Sequence, residues 1–249
     1  MRTLVALWRI LSVFGLVFQG LWLAGMVMPR RDAAGRDAIV KRWSTKALRS
    51  LGVTVRVSGQ PQDGAVLMVA NHVSWLDIPA LHASAPQIRF VSKSNIARWP
   101  LLGRLARAGG TLFIERERKR DALRVVHEVA EALRQSDTVA VFPEGTTGAG
   151  AGVLPFHANL LQAAITTNSV VQPVALRYSE PGHPLSIAVQ YIDDTTLGQS
   201  LMKVCRARGL VVDVHFLPAE PAGELDRRAL AEKLRERIAA ELRSFDGAA

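Results

Sequence analysis

The stretch VANHVSWLDIP (69–79) holds the residue types best suited to chemistry: an apolar run ends on Asn71-His72, and Asp77 follows five residues after the histidine. A histidine at a strand end, with a carboxylate in the first turn of the next helix, lets the chain fold that carboxylate back onto one ring nitrogen. The contact fixes the tautomer and leaves the other nitrogen as a base. His72 and Asp77 are then two members of a catalytic triad. A substrate that brings its own hydroxyl needs no serine, so the pair suits transfer of an acyl group to an alcohol. With water as the acceptor, the same pair would make a hydrolase. A lone histidine and aspartate at this spacing also occur in many proteins without a catalytic role.

The elements that must position this pair follow from short apolar runs rich in Val, Ile and Phe, the pattern of strands buried on both faces. They are VTVRV (53–57), AVLMVA (65–70), IRFVS (88–92), GTLFIE (110–115), TVAVFP (138–143), VVQPVAL (170–176), LSIAVQYI (185–192) and VVDVHFL (211–217). Helical segments are expected between them, at Asp77 to Ser84, Asp121 to Arg134 and Pro155 to Thr166. Asp121 is placed as a cap, with Leu123, Val126, Ala130 and Leu133 on one face. A last amphipathic helix, Ala222 to Phe245, carries Leu225, Leu230, Leu234, Ile238 and Leu242 at helical spacing. Alternation of strand and helix predicts an α/β fold, a mostly parallel central sheet flanked by helices, with ligands gathering where strand C-termini run into loops.

The N-terminus is of another kind. From Ile10 to Met28 the chain carries no formal charge. At about 1.5 Å of rise per residue this stretch just reaches across a hydrocarbon core of roughly 30 Å. It can span a bilayer, or lie in the interface with Trp8 and Trp22 at headgroup depth. A cleaved signal peptide fits less well, because no A-x-A-like site follows Met28. Arg30, Arg31, Arg36, Lys41, Arg42, Lys46 and Arg49 follow the apolar run, against Arg2 and Arg9 before it, which predicts that the body stays in the cytoplasm. Residues 1–51 are expected to form an anchoring helix with a connecting helical segment (Asp37 to Leu51), and residues 52–249 the catalytic domain. The net charge of +9 predicts attraction to an anionic partner, nucleic acid or membrane. The apolar N-terminus favours membrane, and the usual basic helix or aromatic-studded groove of a nucleic-acid module is missing. A single cysteine, Cys205, excludes an internal disulfide and fits a reducing compartment.

Several blocks together resemble the glycerophospholipid acyltransferase family, typified by 1-acylglycerol-3-phosphate acyltransferase. Asn71-His72-Val73-Ser74-Trp75-Leu76-Asp77 is similar to the family's N-H-x-S-x-x-D block, and Gly110-Thr111-Leu112-Phe113-Ile114-Glu115-Arg116 to its G-x-x-F-I-x-R block. Phe142-Pro143-Glu144-Gly145-Thr146 matches the opening of F-P-E-G-T-R, and Val171-Gln172-Pro173-Val174 resembles V-x-P-V. The stretch from Phe90 to Gly103, with Lys93 and Trp99-Pro100-Leu101, also looks familial.

The resemblance implies acyl transfer from an acyl carrier protein or coenzyme A thioester to a membrane lyso-lipid, with no cofactor. It implies His72 as the base, with Asp77 stabilising the imidazolium, and Arg116 as a two-pronged clamp on the acceptor phosphate. Without it, Arg116 reads as one solvated charge in the run 115–120. Glu144, Gly145 and Thr146 would shape the acceptor site, Glu144 by contacting a glycerol hydroxyl or ordering a basic neighbour. Donors for the oxyanion are expected among backbone N–H groups near Gly145 or at the helix start after His72. Two departures concern the headgroup. Thr147 stands where the family usually has arginine, and His157 where many relatives carry lysine. Lys93 or Arg89 can supply the missing charge, and a lyso-ornithine lipid becomes an alternative acceptor.

The remaining histidines, His82, His127, His183 and His215, have no carboxylate or cysteine at metal-ligand spacing, and no metal is expected. Asp193-Asp194 reads as a solvated turn.

Overall fold

The computed structural model describes residues 2–114, 119–223 and 225–245. A long apolar helix, α1 (Arg2–Trp22), loosens through a π turn (Leu23–Val27) and a 3-10 turn containing Pro29 (Met28–Arg30). α2 (Ala33–Leu51) follows, capped by the Asp32 side chain on the Gly35 N–H. The rest alternates: β1 (Val53–Ser58), β2 (Val66–Ala70), α3 (Asp77–Ser84), β3 (Arg89–Lys93), α4 (Ser94–Ala97), α5 (Leu102–Ala108) and β4 (Leu112–Ile114). Then come α6 (Lys119–Arg134), β5 (Thr138–Val141), α7 (Leu161–Thr167), β6 (Val170–Ser179), α8 (Leu197–Arg206), β7 (Leu210–Phe216), the short β8 (Glu220–Pro221) and α9 (Arg227–Ser244).

The strands form one sheet in the order β1-β7-β6-β2-β5-β3-β4, with β8 beside β6. β6, β2, β5, β3 and β4 are mutually parallel, and β7 and β8 run antiparallel to β6. The C-terminal ends of the five parallel strands therefore share one edge, which is where α/β sheets bind ligands.

Alternation along the central strands feeds two cores. Val66, Met68 and Ala70 of β2 pack on one face with Leu48 of α2, Leu81 of α3 and Val204 of α8. Leu67 and Val69 pack on the other with Val129 of α6, Leu161 of α7 and Leu234 of α9. Leu48 and Leu51, in the segment expected to connect the anchor to the body, belong to the first core. α1 lies along that face too. Arg9 donates to the Cys205 and Ala207 carbonyls at 3.0 and 2.7 Å, and the Trp43 indole donates to Leu16 O at 2.9 Å. Arg9 crosses directly over Gly52, whose φ of +78° ends α2 and where a Cβ would sit 2.0 Å from the guanidinium.

Three expectations need correction. Residues 185–192 form no strand. β7 already pairs with β6 from Val174 to Ser179, so this segment makes one bond to β6, Ser186 N to Tyr178 O at 2.9 Å, then turns with Ile187 exposed. Asp121 lies inside α6 rather than at its start, and Leu123 is 75% exposed because the buried face runs through Val125, Val129 and Leu133. Leu225 precedes α9, whose cap is Asp226, bonded to the Arg228 and Ala229 N–H groups. Periodicity alone does not mark α4, α5 and α8.

Candidate active site

β2 ends where its side-chain chemistry takes over from its backbone. The Asn71 carboxamide donates to Leu176 O at 2.9 Å and accepts from Leu176 N at 2.8 Å, supplying a further rung toward β6. The chain is thereby free to turn away, and the next residue is His72.

Four contacts fix His72. Its N–H donates to Glu144 Oε1 at 2.6 Å, and its carbonyl accepts from the Gly148 N–H at 2.7 Å. Its ring stacks on Phe142, centroids 4.1 Å apart and planes inclined by 15°, and Phe142 in turn stacks on Phe90. Its Nδ1 lies 2.7 Å from Asp77 Oδ2. With a proton on Nδ1 donated to the carboxylate, Nε2 is the basic nitrogen, on a side chain that keeps 20% of its surface exposed.

Asp77 opens α3 and is fully buried. Its Oδ2 also accepts from the Val73 and Ser74 N–H groups at 2.8 and 3.0 Å, and its Oδ1 accepts from the Tyr178 hydroxyl at 2.7 Å. A buried carboxylate is tolerable when its lone pairs are met in this way. Tyr178 is itself buried, and burial first, then the Asp77 charge, pushes its phenol far above the ordinary tyrosine range, so it acts only as a donor.

Glu144 is 5% exposed, and both of its oxygens serve the backbone: Oε1 accepts from His72 N and Oε2 from Leu154 N at 2.9 Å. Burial pushes the Glu144 carboxyl pKa upward, while the two N–H donors oppose the rise. It stands as a brace for the His72 main chain. Gly145 adopts φ +72°, and His157 packs against it closely enough that a Cβ would approach the imidazole to 3.1 Å. Thr146 is exposed on the same turn. The Thr147 hydroxyl donates to the Tyr191 carbonyl.

The structure therefore gathers His72, Asp77, Glu144, Gly145 and Thr146 at one edge of the sheet. Lys93 ends β3 on that edge, in register with Ile114, the last residue of β4. Arg116 lies outside the described residues. Arg89 is turned to another task, pairing with Asp137 and donating to Gly110 O at 3.1 Å. The expected oxyanion donors are committed elsewhere: the N–H groups of His72, Val73 and Ser74 serve Glu144 and Asp77, and Gly145 N donates to Phe142 O at 3.1 Å. The Thr146 and Thr147 N–H groups have no internal acceptor among the described residues. Among those residues no group of three or more His, Cys, Asp or Glu side chains could hold a metal ion. Sequence reading missed Tyr178 and the Asn71 bridge. Their only signal was the apolar alternation Val174, Leu176, Tyr178, which puts all three on the face that carries α3.

The Acyltransferase family model matches residues 52–177. A lyso-ornithine lipid O-acyltransferase of Pseudomonas aeruginosa is 36% identical over 96% of this chain and 93% of its own length. A 1-acyl-sn-glycerol-3-phosphate acyltransferase of Neisseria gonorrhoeae is 38% identical over 82% of this chain and 81% of its own. The fold is shared with the crystal structure of the 1-acyl-sn-glycerophosphate acyltransferase of Thermotoga maritima, at a TM-score of 0.74 and 19% identity over 99% of this chain and 98% of that one. With its histidine and aspartate joined at the sheet edge, the family model matched over residues 52–177 and these relatives matched over 82% of the chain or more, the protein belongs to the Acyltransferase family.

Proposed function

We propose that the chain transfers a fatty acyl group from an acyl carrier protein or coenzyme A thioester to the free hydroxyl of 1-acyl-sn-glycerol-3-phosphate, forming phosphatidic acid. The observation that carries this reading is the 2.7 Å contact between His72 Nδ1 and Asp77 Oδ2, which presents Nε2 as a base with no serine needed beside it. Nε2 takes the proton of the acceptor hydroxyl as its oxygen bonds to the thioester carbonyl carbon. The carbonyl π pair moves onto oxygen, and Asp77 stabilises the imidazolium. The pair returns, the carbon–sulfur bond breaks, and the thiolate leaves, taking the proton back from the His72 imidazolium and restoring the base. The free Thr146 and Thr147 N–H groups are suited to the transient oxyanion. Arg116 and Lys93 are proposed for the acceptor phosphate.

A lyso-ornithine lipid is the second reading. Thr147 and His157 stand where the family resemblance leads one to expect arginine and, in many relatives, lysine, which weakens the case for a phosphate monoester, and the Pseudomonas aeruginosa relative acts on that lipid class by its name.

The proposed place of action is the cytoplasmic leaflet of a membrane. The stretch Leu4–Arg30 is long and apolar enough to cross a bilayer by length and composition. One face of α1 is held against the domain through Arg9 and Leu16, however, while Leu4, Leu7, Trp8, Leu11, Phe14, Phe18 and Trp22 form an exposed apolar stripe on the opposite face. A spanning α1 would drag α2 and α8 into hydrocarbon. Lying in the interface buries the stripe and leaves the domain wet.

The test offers a panel of lyso-lipid acceptors, lysophosphatidate and lyso-ornithine lipid among them, with one labelled acyl thioester. Diacylated product that disappears in His72→Ala supports the reading. Free fatty acid without diacylated lipid would make the protein a hydrolase, and an active His72→Ala enzyme would refute the assignment of the base.

A further inference from the structure

α4 and α5 form a hairpin between the end of β3 and the start of β4, so it rises from the sheet edge that carries His72. Its connection exposes five consecutive residues, Arg98-Trp99-Pro100-Leu101-Leu102, with Trp99 at 41%, Leu101 at 40% and Leu102 at 36%. This exposure does not come from slack packing. Gly103 N donates to Trp99 O at 2.9 Å, Arg107 donates to Ala97 O at 2.9 Å, and a Cβ on Gly103 would strike the Ala97 carbonyl at 2.5 Å. The hairpin is held rigid with its apolar side outward.

The base of the hairpin abuts α1. Leu101 and Leu102 precede Leu105 by four and three residues and so share its face of α5. Leu105 packs on Gly20 of α1 so closely that a Cβ there would stand 2.8 Å from Leu105 Cδ2. Leu105 thus ties the hairpin to the domain-facing side of α1, and Arg98 and Arg104 flank the apolar tip, exposed. An apolar wedge rimmed by cations matches the headgroup boundary of an anionic bilayer, with tryptophan at the depth it favours.

We propose that the α4–α5 hairpin is a second membrane-docking element, inserting Trp99, Leu101 and Leu102 into an anionic leaflet beside the active-site edge. Docking through α1 alone leaves the domain free to roll about one helix axis. A second contact on the sheet edge sets the orientation, so that a lyso-lipid reaches His72 without leaving the interface. The proposal rests on the interfacial reading of α1, and its test separates the two.

Cys205 is the chain's one cysteine and is buried, so an introduced surface thiol can be labelled selectively. Leu101→Cys and, on the α1 stripe, Phe18→Cys are each labelled with an environment-sensitive dye in the full chain. They are mixed with phosphatidylglycerol–phosphatidylcholine vesicles containing a nitroxide lipid. Quenching of both probes, with the Leu101 signal weakened by Arg98→Glu plus Arg104→Glu, supports the proposal. Quenching at position 18 without quenching at 101 overturns it while leaving the α1 reading intact. Quenching at neither overturns both. A dye shift at 101 caused by acyl carrier protein without vesicles would assign the hairpin to a protein partner and also overturn it. Independently, Trp99→Ser with Leu101→Ser and Leu102→Ser should lower vesicle affinity about tenfold or more while turnover of a short-chain, water-soluble acceptor is kept. Unchanged affinity would contradict the proposal.

Discussion

The Tyr178 hydroxyl donates to Asp77 Oδ1 at 2.7 Å, from a strand position 101 residues further along the chain. Asp77 thus uses one oxygen for His72 and two main-chain N–H groups, and the other for tyrosine. Tyr178 touches no reacting atom and acts by positioning. Hydrogen bonds to a charged group contribute about 1.5–3 kcal/mol, so Tyr178→Phe should lower kcat by roughly ten- to a hundredfold. KM for the acceptor should stay near the original value. A full-speed Tyr178→Phe enzyme would mean that the phenol merely fills space.

Glu144 makes a sharper distinction. Its two oxygens accept from the His72 and Leu154 N–H groups, so Glu144→Gln keeps one bond and turns an amide N–H against the other donor. An unsatisfied buried donor costs about 1–3 kcal/mol of stability. Because the strained end includes the main chain of His72, kcat should fall while acceptor KM holds. The reverse result, raised KM at unchanged kcat, would show Glu144 contacting the acceptor directly.

The legible and illegible parts of this molecule divide by sequence distance. His72 and Asp77 were readable because five residues and one turn suffice to join them, and the central parallel strands β2, β5 and β6 because both faces of each are buried. The failures are long-range. Nothing local in LSIAVQYI (185–192) reveals that β7 has already taken the free side of β6. Nothing near Tyr178 points to a carboxylate one hundred residues earlier. The acidic residue of the Phe-Pro-Glu-Gly turn suggested a ligand contact by its type, yet burial turned it toward main-chain amides. Polar residues at a strand end can serve substrate or scaffold, and only the tertiary partners decide.

His82, on α3 behind the site, has its imidazole lowered to about 4 by burial, with a smaller opposing effect from the Pro86 carbonyl. The folded state binds this proton more weakly than the unfolded chain, whose histidine titrates near 6.5. The stabilisation is present above the unfolded value and is lost as pH falls from about 6.5 toward 4, at about 1.4 kcal/mol per pH unit, or roughly 3 kcal/mol in all. Thermal unfolding across this range should show a falling Tm that is flattened in His82→Leu. His82 meets Phe90 edge-on at 4.8 Å, and Phe90 stacks on Phe142, the ring beneath His72, so acid loosening should reach activity as well. An identical acid slope in the variant would place the sensitive group elsewhere.

Thr147 sits in a loop clamped to His72 at two points, through Glu144 on one side and the Gly148 N–H on the other. On the proposed reaction, a side chain at 147 would therefore lie near the acceptor that His72 would deprotonate. Its hydroxyl is spent on the Tyr191 carbonyl, so the native residue offers no cation to a phosphate. Thr147→Arg should restore one charge-assisted contact, raising kcat/KM for lysophosphatidate about tenfold relative to lyso-ornithine lipid. The measurement is the ratio of the two specificity constants in wild type and variant, which cancels any general loss from disturbing the Tyr191 contact. If the ratio does not move, residue 147 does not face the headgroup, and acceptor choice is set elsewhere in the site.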